Sequence, residues 1–372
     1  MRFETIPGKV EIKKQLIQSA QSEKIPHAQL FLGKEGSAAL AMALAFSTYI
    51  HCTDKKEEDS CGICPACLKS SKMMHPDTHF AFPVVKSETK KREDTTSEDF
   101  ILPFKNLILS NPFASFKQWI ETITTSTARP NINVKETNLI SQRLSLQSFE
   151  SDYKILIMWM PEYLGREGNR LLKLIEEPPD KTVILLVAED SELLLPTVLS
   201  RCQITKIPLF TNKEIKSVLQ RITGSTNIDE SVINLSAGNI SRAIELLKSE
   251  DDGYGSMLYD WLRLCYKSHP EDITRFCEDI ARWNQEQQRN FIEYGLHFLR
   301  AFHYWYFSQT WTDDISESEK DIAFKMKSIL NFDKIISIEE LLNEAITHIY
   351  RNANSKILFF SLSLEIGYLL KS

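Results

Sequence analysis

Apolar residues recur along this chain in two rhythms, and the change from one to the other divides the sequence. Ala28-Gln-Leu-Phe-Leu32 is a short apolar run closed by Gly33, the pattern of a buried strand. From Gly36 to Ile50, Ala, Leu and Met dominate, as in a helix packed on a sheet. Tyr153 to Trp159 and Thr182 to Ala188 are continuous apolar runs, each predicting a strand covered on both faces. Gln203 to Ile207 predicts one more. Lys135 to Ser148 reads as helical, and Gly165 to Glu177 as an amphipathic helix stopped by Pro178-Pro179. Strands separated by helices of this length predict a parallel α/β sheet.

Between these elements, residues 84–100 are polar and without periodicity, which predicts an exposed loop. Asn111-Pro112 then opens a helix through Trp119 and Ile123, with Ser110 or Asn111 as its expected cap. After Pro208 the rhythm becomes helical. Asn212 to Leu247 reads as three short helices with breaks near Gly224 and Gly238. From about Tyr254 onward only helices are predicted, rich in aromatics such as Trp261, Phe276, Trp283, Phe291, Phe298, Trp305 and Phe307. No internal repeat is visible.

Composition narrows the class without changing this picture. The 372 residues are 42% hydrophobic and 25% charged, as expected of a globular chain with more than one domain. A formal net charge of −6 argues against holding DNA by global electrostatics, because phosphate neutralisation needs concentrated Lys and Arg. No apolar run reaches about 18 residues, so no membrane span is predicted. The opening segment, MRFETIPGKVEIKK, has no apolar stretch behind its charges, and a cytoplasmic location is the expectation.

The first strand and helix flank a turn in the place of a phosphate loop. A working loop, G-x-x-x-x-G-K-[ST], offers backbone amides, a Lys and a magnesium-holding hydroxyl to a nucleotide. Here the turn reads Gly33-Lys-Glu-Gly36-Ser-Ala38-Ala39-Leu40. The last Gly has become Ala38, the Lys Ala39 and the hydroxyl residue Leu40. Lys34 lies at the mouth of the turn, where a following hydroxyl is lacking. Nucleotide hydrolases of this type also end their next buried strand with Asp-Glu. That strand here runs into Trp159-Met160, and Glu162 falls beyond it. Two losses at one site predict a chain that neither binds nor hydrolyses ATP.

Seven cysteines are present, and four of them, Cys52, Cys61, Cys64 and Cys67, fall within 16 positions. The spacing Cys-x8-Cys-x2-Cys-x2-Cys, with Gly62 and Pro65 at the tight turns, predicts a closed four-thiolate structural zinc site with no open position for catalysis. Free core thiols are the plainer reading, but the acidic and basic residues from Asp54 to Asp59 are too polar for a core. A redox role stays open. His75 and His79 lie nearby and read as structural.

Pro26-His27-Ala28, the cysteine spacing, Leu171-Leu-Lys-Leu-Ile-Glu-Glu-Pro-Pro179 and Ser200-Arg201-Cys202 follow one another in this order. Together they resemble the clamp-loader family of AAA+ proteins, over roughly residues 5–82 and 130–250. The C-terminal third matches only in helical character and length. The resemblance implies an AAA+-like P-loop-type α/β domain over residues 1–207. That domain would carry a four-cysteine zinc module at about 50–80 and a long insertion at 83–129. An all-α lid over 208–250 and an all-α collar over 251–372 would follow. In the family the Ser-Arg-Cys arginine crosses a subunit interface to the γ-phosphate of ATP on a neighbour, which implies Arg201 as an arginine finger acting in trans. An ordinary surface salt bridge is the bland alternative for Arg201. The second sensor arginine of the family maps to Arg242, with a structural role expected, and its first sensor hydroxyl maps to Ala188. The implied protein is a non-ATPase subunit, monomeric when isolated. Its implied partners are ATPase subunits of gamma/tau type and a delta-type subunit in a hetero-pentameric ring, which reaches the sliding clamp and primer-template DNA. An active ATP-binding motor subunit, or a zinc-containing nucleic-acid-binding protein, are the competing readings. Phe113, Phe116 and Trp119 in the insertion read as packing residues.

Overall fold

The structure, a computed structural model, describes the chain apart from residues 88–89, 125–128, 226–227, 229, 249–253, 312–316, 328 and 372, and apart from the side chains of 165–171, 231, 248 and 317–318. The chain folds into two compact units, Met1–Ile222 with Gly238–Arg242, and Thr223–Ala237 with Ala243–Ser372.

The first unit is built on a five-stranded parallel sheet. In chain order its elements are α1 (Val10–Gln21), β1 (Ala28–Leu32), α2 (Ala39–His51), α3 (Pro65–Ser71), β2 (Thr78–Ala81), α4 (Ile101–Ser110), α5 (Phe116–Ile123), α6 (Val134–Ser145), β3 (Lys154–Trp159), α7 (Gly168–Glu176), β4 (Thr182–Ala188), α8 (Pro196–Leu199), β5 (Gln203–Lys206) and α9 (Asn212–Thr223). The strand order is β2-β3-β4-β1-β5, and every pairing is parallel. Every residue of β3 and of β4 is buried, which is why both read as unbroken apolar runs. Leu30, Leu156, Ile184 and Leu186 pack with Ile140 and Leu144 of α6 and Val198 of α8 in one core. Fully burying a Leu or Ile of this kind contributes about 1.5–3 kcal/mol. The parallel sheet flanked by helices is as expected. The strand β2 and the helices α1 and α4 were not expected from the sequence. Four residues of mixed character at a sheet edge, Thr-His-Phe-Ala, leave too short a pattern to read.

The insertion corrects two expectations. Residues 84–100 are not simply an exposed loop. Val84 and Val85 are buried, and Val84 bridges Asn131 in antiparallel fashion. Thr95, Thr96 and Ser97 are buried too. Their polar groups are met by α6: Glu136 accepts from the amide and the hydroxyl of Ser97, both at 2.6 Å, and Asn133 Nδ2 donates to the Thr95 carbonyl at 2.6 Å. A polar segment needs partners rather than water, and here protein supplies them. Second, neither Ser110 nor Asn111 caps α5. Asn111 ends α4, and the cap is Ser115, which forms a reciprocal capping box with Gln118. The packing role of the aromatics is as expected. Trp119 is fully buried and donates Nε1–H to the Pro83 carbonyl at 2.8 Å, with its ring edge against Phe82 and Phe104.

The second unit is helical. It contains α10 (Glu230–Leu235), most of α11 (Ile240–Lys248), α12 (Tyr254–Lys267), α13 (Pro270–Ala281), α14 (Gln285–Ser308), α15 (Glu317–Met326), α16 (Phe332–Tyr350) and α17 (Ser355–Lys371). Trp261, Phe291, Phe302, Leu342, Phe359 and Ile366 belong to one buried cluster, and Trp261 Nε1 donates to Ser363 Oγ at 2.8 Å. The expected lid–collar boundary at 250/251 lies outside the described residues. Among the described residues, no helix is long and apolar enough to cross a membrane.

Candidate functional site

The turn after β1 is closed by backbone hydrogen bonds and has Ala39 and Leu40 where a phosphate loop would carry lysine and hydroxyl. Gly33 N donates to Ala188 O at 3.0 Å, and Ser37 N to Lys34 O at 3.0 Å, so the turn is closed on the end of β4. Gly36 has φ +74, which favours glycine. Helix α2 begins at Ala39, three residues later than expected. Ala38, Ala39 and Leu40 are 0%, 4% and 6% exposed and carry no polar side-chain atom. Lys34 and Glu35 are exposed. Asn239 closes over the turn: Ile240 N donates to Gly36 O at 3.2 Å, Arg242 N donates to Asn239 Oδ1 at 2.9 Å, and a Cβ on Gly36 would run into the Asn239 side chain.

The end of β3 is equally altered. Trp159 is buried, in ring contact with Phe104 and Phe116 of the insertion at 5.7 and 5.9 Å. Aromatic packing therefore fills the end of β3. Carboxyls do gather nearby, which sequence reading missed. Glu162 Oε1 accepts from the amides of Glu189 and Asp190 at 2.6 and 3.0 Å. Burial, reinforced by repulsion from Glu35 and Glu162, pushes the Glu189 carboxyl up to about 8.

At the other end of α2 stand the four cysteines. Cys52 caps the C-terminus of α2, and Cys64 caps the N-terminus of α3, with Pro65 in the first turn. Gly62 has φ +76, as a tight turn between ligands requires. The four sulfurs lie within 4.8 Å of one another, and Cys61 Sγ to Cys67 Sγ is 3.9 Å. A tetrahedron with Zn–S bonds of about 2.3 Å has edges of about 3.8 Å, so the donor set fits a metal of this size and softness. Amide groups point at the sulfurs: Cys61 N to Cys52 Sγ at 3.3 Å, Cys64 N to Cys61 Sγ at 3.3 Å, and Cys67 N to Cys64 Sγ at 3.4 Å. Burial raises the Cys52 and Cys67 thiols. At Cys64 burial also acts upward, but hydrogen bonds from Cys67 N and Thr53 outweigh it and bring the thiol down to about 6. The cluster could hold a metal ion. The charged stretch between Cys52 and Cys61 is pinned rather than free: buried Asp59 accepts from the amides of Phe3, Glu4 and Ser60. His75 and His79 stand outside the thiol group. His75 stacks on His51 at 3.8 Å, and burial, with repulsion from His75, drives His51 down to about 3, so it is neutral.

Arg201 sits just past α8, beside β5, and its side chain is 40% exposed. Nη1 donates to Thr197 O at 3.0 Å and Ser200 Oγ at 3.3 Å. Nη2 pairs with Glu176 Oε1 of α7 at 2.7 Å. Cys202 turns inward with Leu195 and Leu199 against the sheet core, and burial pushes its thiol up to about 11. The motif thus anchors one side chain inside and presents the next outside. Glu176 was not singled out from the sequence; its signal was the Glu-Glu-Pro-Pro stop of α7.

The parallel sheet thus carries a tight turn after β1 and an exposed arginine just before β5. The family model described as DNA polymerase III, delta subunit, matches residues 8–211. The chain belongs to this family. It is 24% identical to the DNA polymerase III subunit delta' of Bacillus subtilis over 240 residues, 64% of this chain and 59% of that one. The delta' subunit of Escherichia coli K12 is 21% identical over 63% of this chain and 59% of its own. The tau subunit of B. subtilis is 24% identical over 68% of this chain and 35% of its own. The chain therefore spans under two thirds of the length of these relatives. A gamma subunit-related protein from Thermotoga maritima aligns with 98% of this chain, at 14% identity and a TM-score of 0.38.

Proposed function

We propose that this chain is a clamp-loader subunit of the bacterial replicative polymerase that does not use ATP itself and lends Arg201 to a neighbour that does. One observation carries the reading: the turn that would grip a triphosphate presents buried Ala38, Ala39 and Leu40 in place of a lysine and a hydroxyl. Arg201 supports the second half. Its planar guanidinium suits charge spread over phosphoryl oxygens, and it stands exposed at a fixed point of the fold. The proposed partners are gamma/tau-type ATPase subunits and a delta-type subunit in a five-membered ring, acting on the sliding clamp and primer-template DNA in the cytoplasm. Alone, the chain is a monomer. Its proposed organisation is the α/β domain over 1–207, the lid over 208–250 and the collar over 251–372, with Arg242 in a structural role. Cys52, Cys61, Cys64 and Cys67 would hold zinc as a closed structural centre. Bound there, the ion would cross-link two helix ends and leave no position for a reacting group.

Nucleotide titration of the isolated chain tests the first half. No saturable ATP binding is expected, and micromolar affinity would defeat it. For the second half, Arg201→Ala should leave folding intact and lower ATP turnover of the reconstituted loader, by on the order of 10³-fold at the site it serves. Unchanged turnover would remove the assignment.

A further inference from the structure

The ion pair at Arg201 has a property that a stabilising contact does not need. Both partners are solvent-exposed, at 40% and 45% of their side chains, and exposed pairs contribute little to stability. Both backbones, however, are rigidly held. On α7 the neighbour of Glu176, Ile175, is fully buried, and Leu172 and Leu174 pack against the same core. On the other side Leu195, Val198, Leu199 and Cys202 reach that core too. The 2.7 Å contact thus joins two surface side chains whose Cα positions are set from beneath.

The hydrogen-bond inventory of the guanidinium is instructive. Of the five N–H donors of an arginine, Nη1 spends its pair on Thr197 O and Ser200 Oγ, and Nη2 gives one to Glu176. Among the described residues Nε–H has no hydrogen-bond partner, which leaves it for a ligand approaching from outside the chain. An arginine held in this way can still donate to a phosphoryl group while its long side chain is already ordered.

We propose that Glu176 is a positioning residue for Arg201: it orients the guanidinium at the subunit surface before the neighbour's triphosphate arrives. The proposal rests on the trans-finger reading above. Glu176 does not touch the phosphate. It acts through Arg201, by removing rotamer freedom that would otherwise be lost in the transition state. A glutamine at this position keeps the accepting oxygen and should keep the function, whereas an alanine frees the arginine.

The experiment uses the reconstituted loader, with this chain as wild type, Glu176→Ala, Glu176→Gln or Arg201→Ala. ATP turnover is measured across ATP concentrations, with this chain saturating, and melting of each free variant serves as the folding control. Glu176→Ala should lower kcat about tenfold with KM for ATP unchanged, at an unaltered melting temperature. Glu176→Gln should stay within about twofold of wild type. A drop with Arg201→Ala but none with Glu176→Ala, or a rise with Glu176→Ala, would overturn the positioning role and leave the finger standing. Equal losses in both Glu176 variants would also overturn it, since a neutral acceptor would then fail to substitute. No effect of Arg201→Ala would sink the finger and this proposal together.

Discussion

The two ends of helix α2 make an instructive pair. At its N-terminus the turn Gly33–Leu40 is closed by backbone hydrogen bonds and by the left-handed Gly36, with Ala39 and Leu40 where a phosphate loop would carry lysine and hydroxyl. At its C-terminus the opposite holds. From Cys52 to Cys67 there is little regular structure, only the start of the short helix α3, yet four sulfurs converge within 4.8 Å. One end is a frame without its chemistry; the other is donor chemistry that helps make its own frame. Backbone course at the first end is dictated by the sheet whatever its side chains, whereas a closed ligand set has no such support and is expected to fail when one member is lost.

Substitutions can break or sharpen this contrast. The largest effect is expected at the cysteine end. Cys64→Ser should abolish metal stoichiometry and destabilise the first unit by about 4 kcal/mol, because the ion's binding free energy is also folding free energy. Metal content by mass spectrometry and melting with and without chelator report it, and unaltered stoichiometry would refute the centre. Slightly smaller is the cost of restoring a lost acid. Trp159→Asp would exchange a ring packed on Phe104 and Phe116 for a buried carboxyl, at about 3–4 kcal/mol, with no gain in ATP binding. If stability were unchanged, the strand end would be less committed to packing than its burial indicates. Gly36→Ala should cost about 2 kcal/mol, from its positive φ and the collision with Asn239. Denaturant unfolding measures it, and a neutral result would mean that Asn239 does not close the turn.

The smallest change concerns pH. In the folded chain Glu189 titrates near 8, raised first by burial and then by Glu35 and Glu162, with Lys34 acting the other way. Its ordinary value is 4.5, so between the two the folded chain holds a proton that the unfolded chain releases. Stability therefore falls as pH rises through that window and levels off above it. Glu189→Gln removes the penalty. Its melting temperature should match wild type near pH 4.5 and exceed it by a few degrees at about pH 8.5. Equal melting at both would show the carboxyl to be solvated.

Much of this was readable in the one-dimensional pattern, and for identifiable reasons. β3 and β4 are buried on both faces and β1 nearly so, so burial left little polar interruption. The cysteine cluster was legible because its members sit in one short segment, where spacing alone limits the geometry. The absence of lysine and hydroxyl from the turn at Ala39 and Leu40 was legible because it is a matter of residue identity at fixed offsets. By contrast β2 and α4 were missed, since a four-residue edge strand and a helix inside a polar insertion leave no pattern that outweighs their surroundings. The cap of α5 was misassigned because Ser110, Asn111 and Ser115 are equally good caps in isolation, and the Ser115–Gln118 exchange decides among them.

The amino-acid order by itself determined a parallel α/β module followed by helices, four thiols close enough to hold a metal, and a turn after β1 with alanine and leucine at Ala39 and Leu40. Tertiary structure alone decided which distant residues meet: Glu136 beneath Ser97, Phe104 over Trp159, Asn239 upon Gly36, and Glu176 against Arg201. Local spacing constrains neighbours along the chain, whereas pairings between residues far apart in sequence exist only once the sheet has brought its loops and helices together.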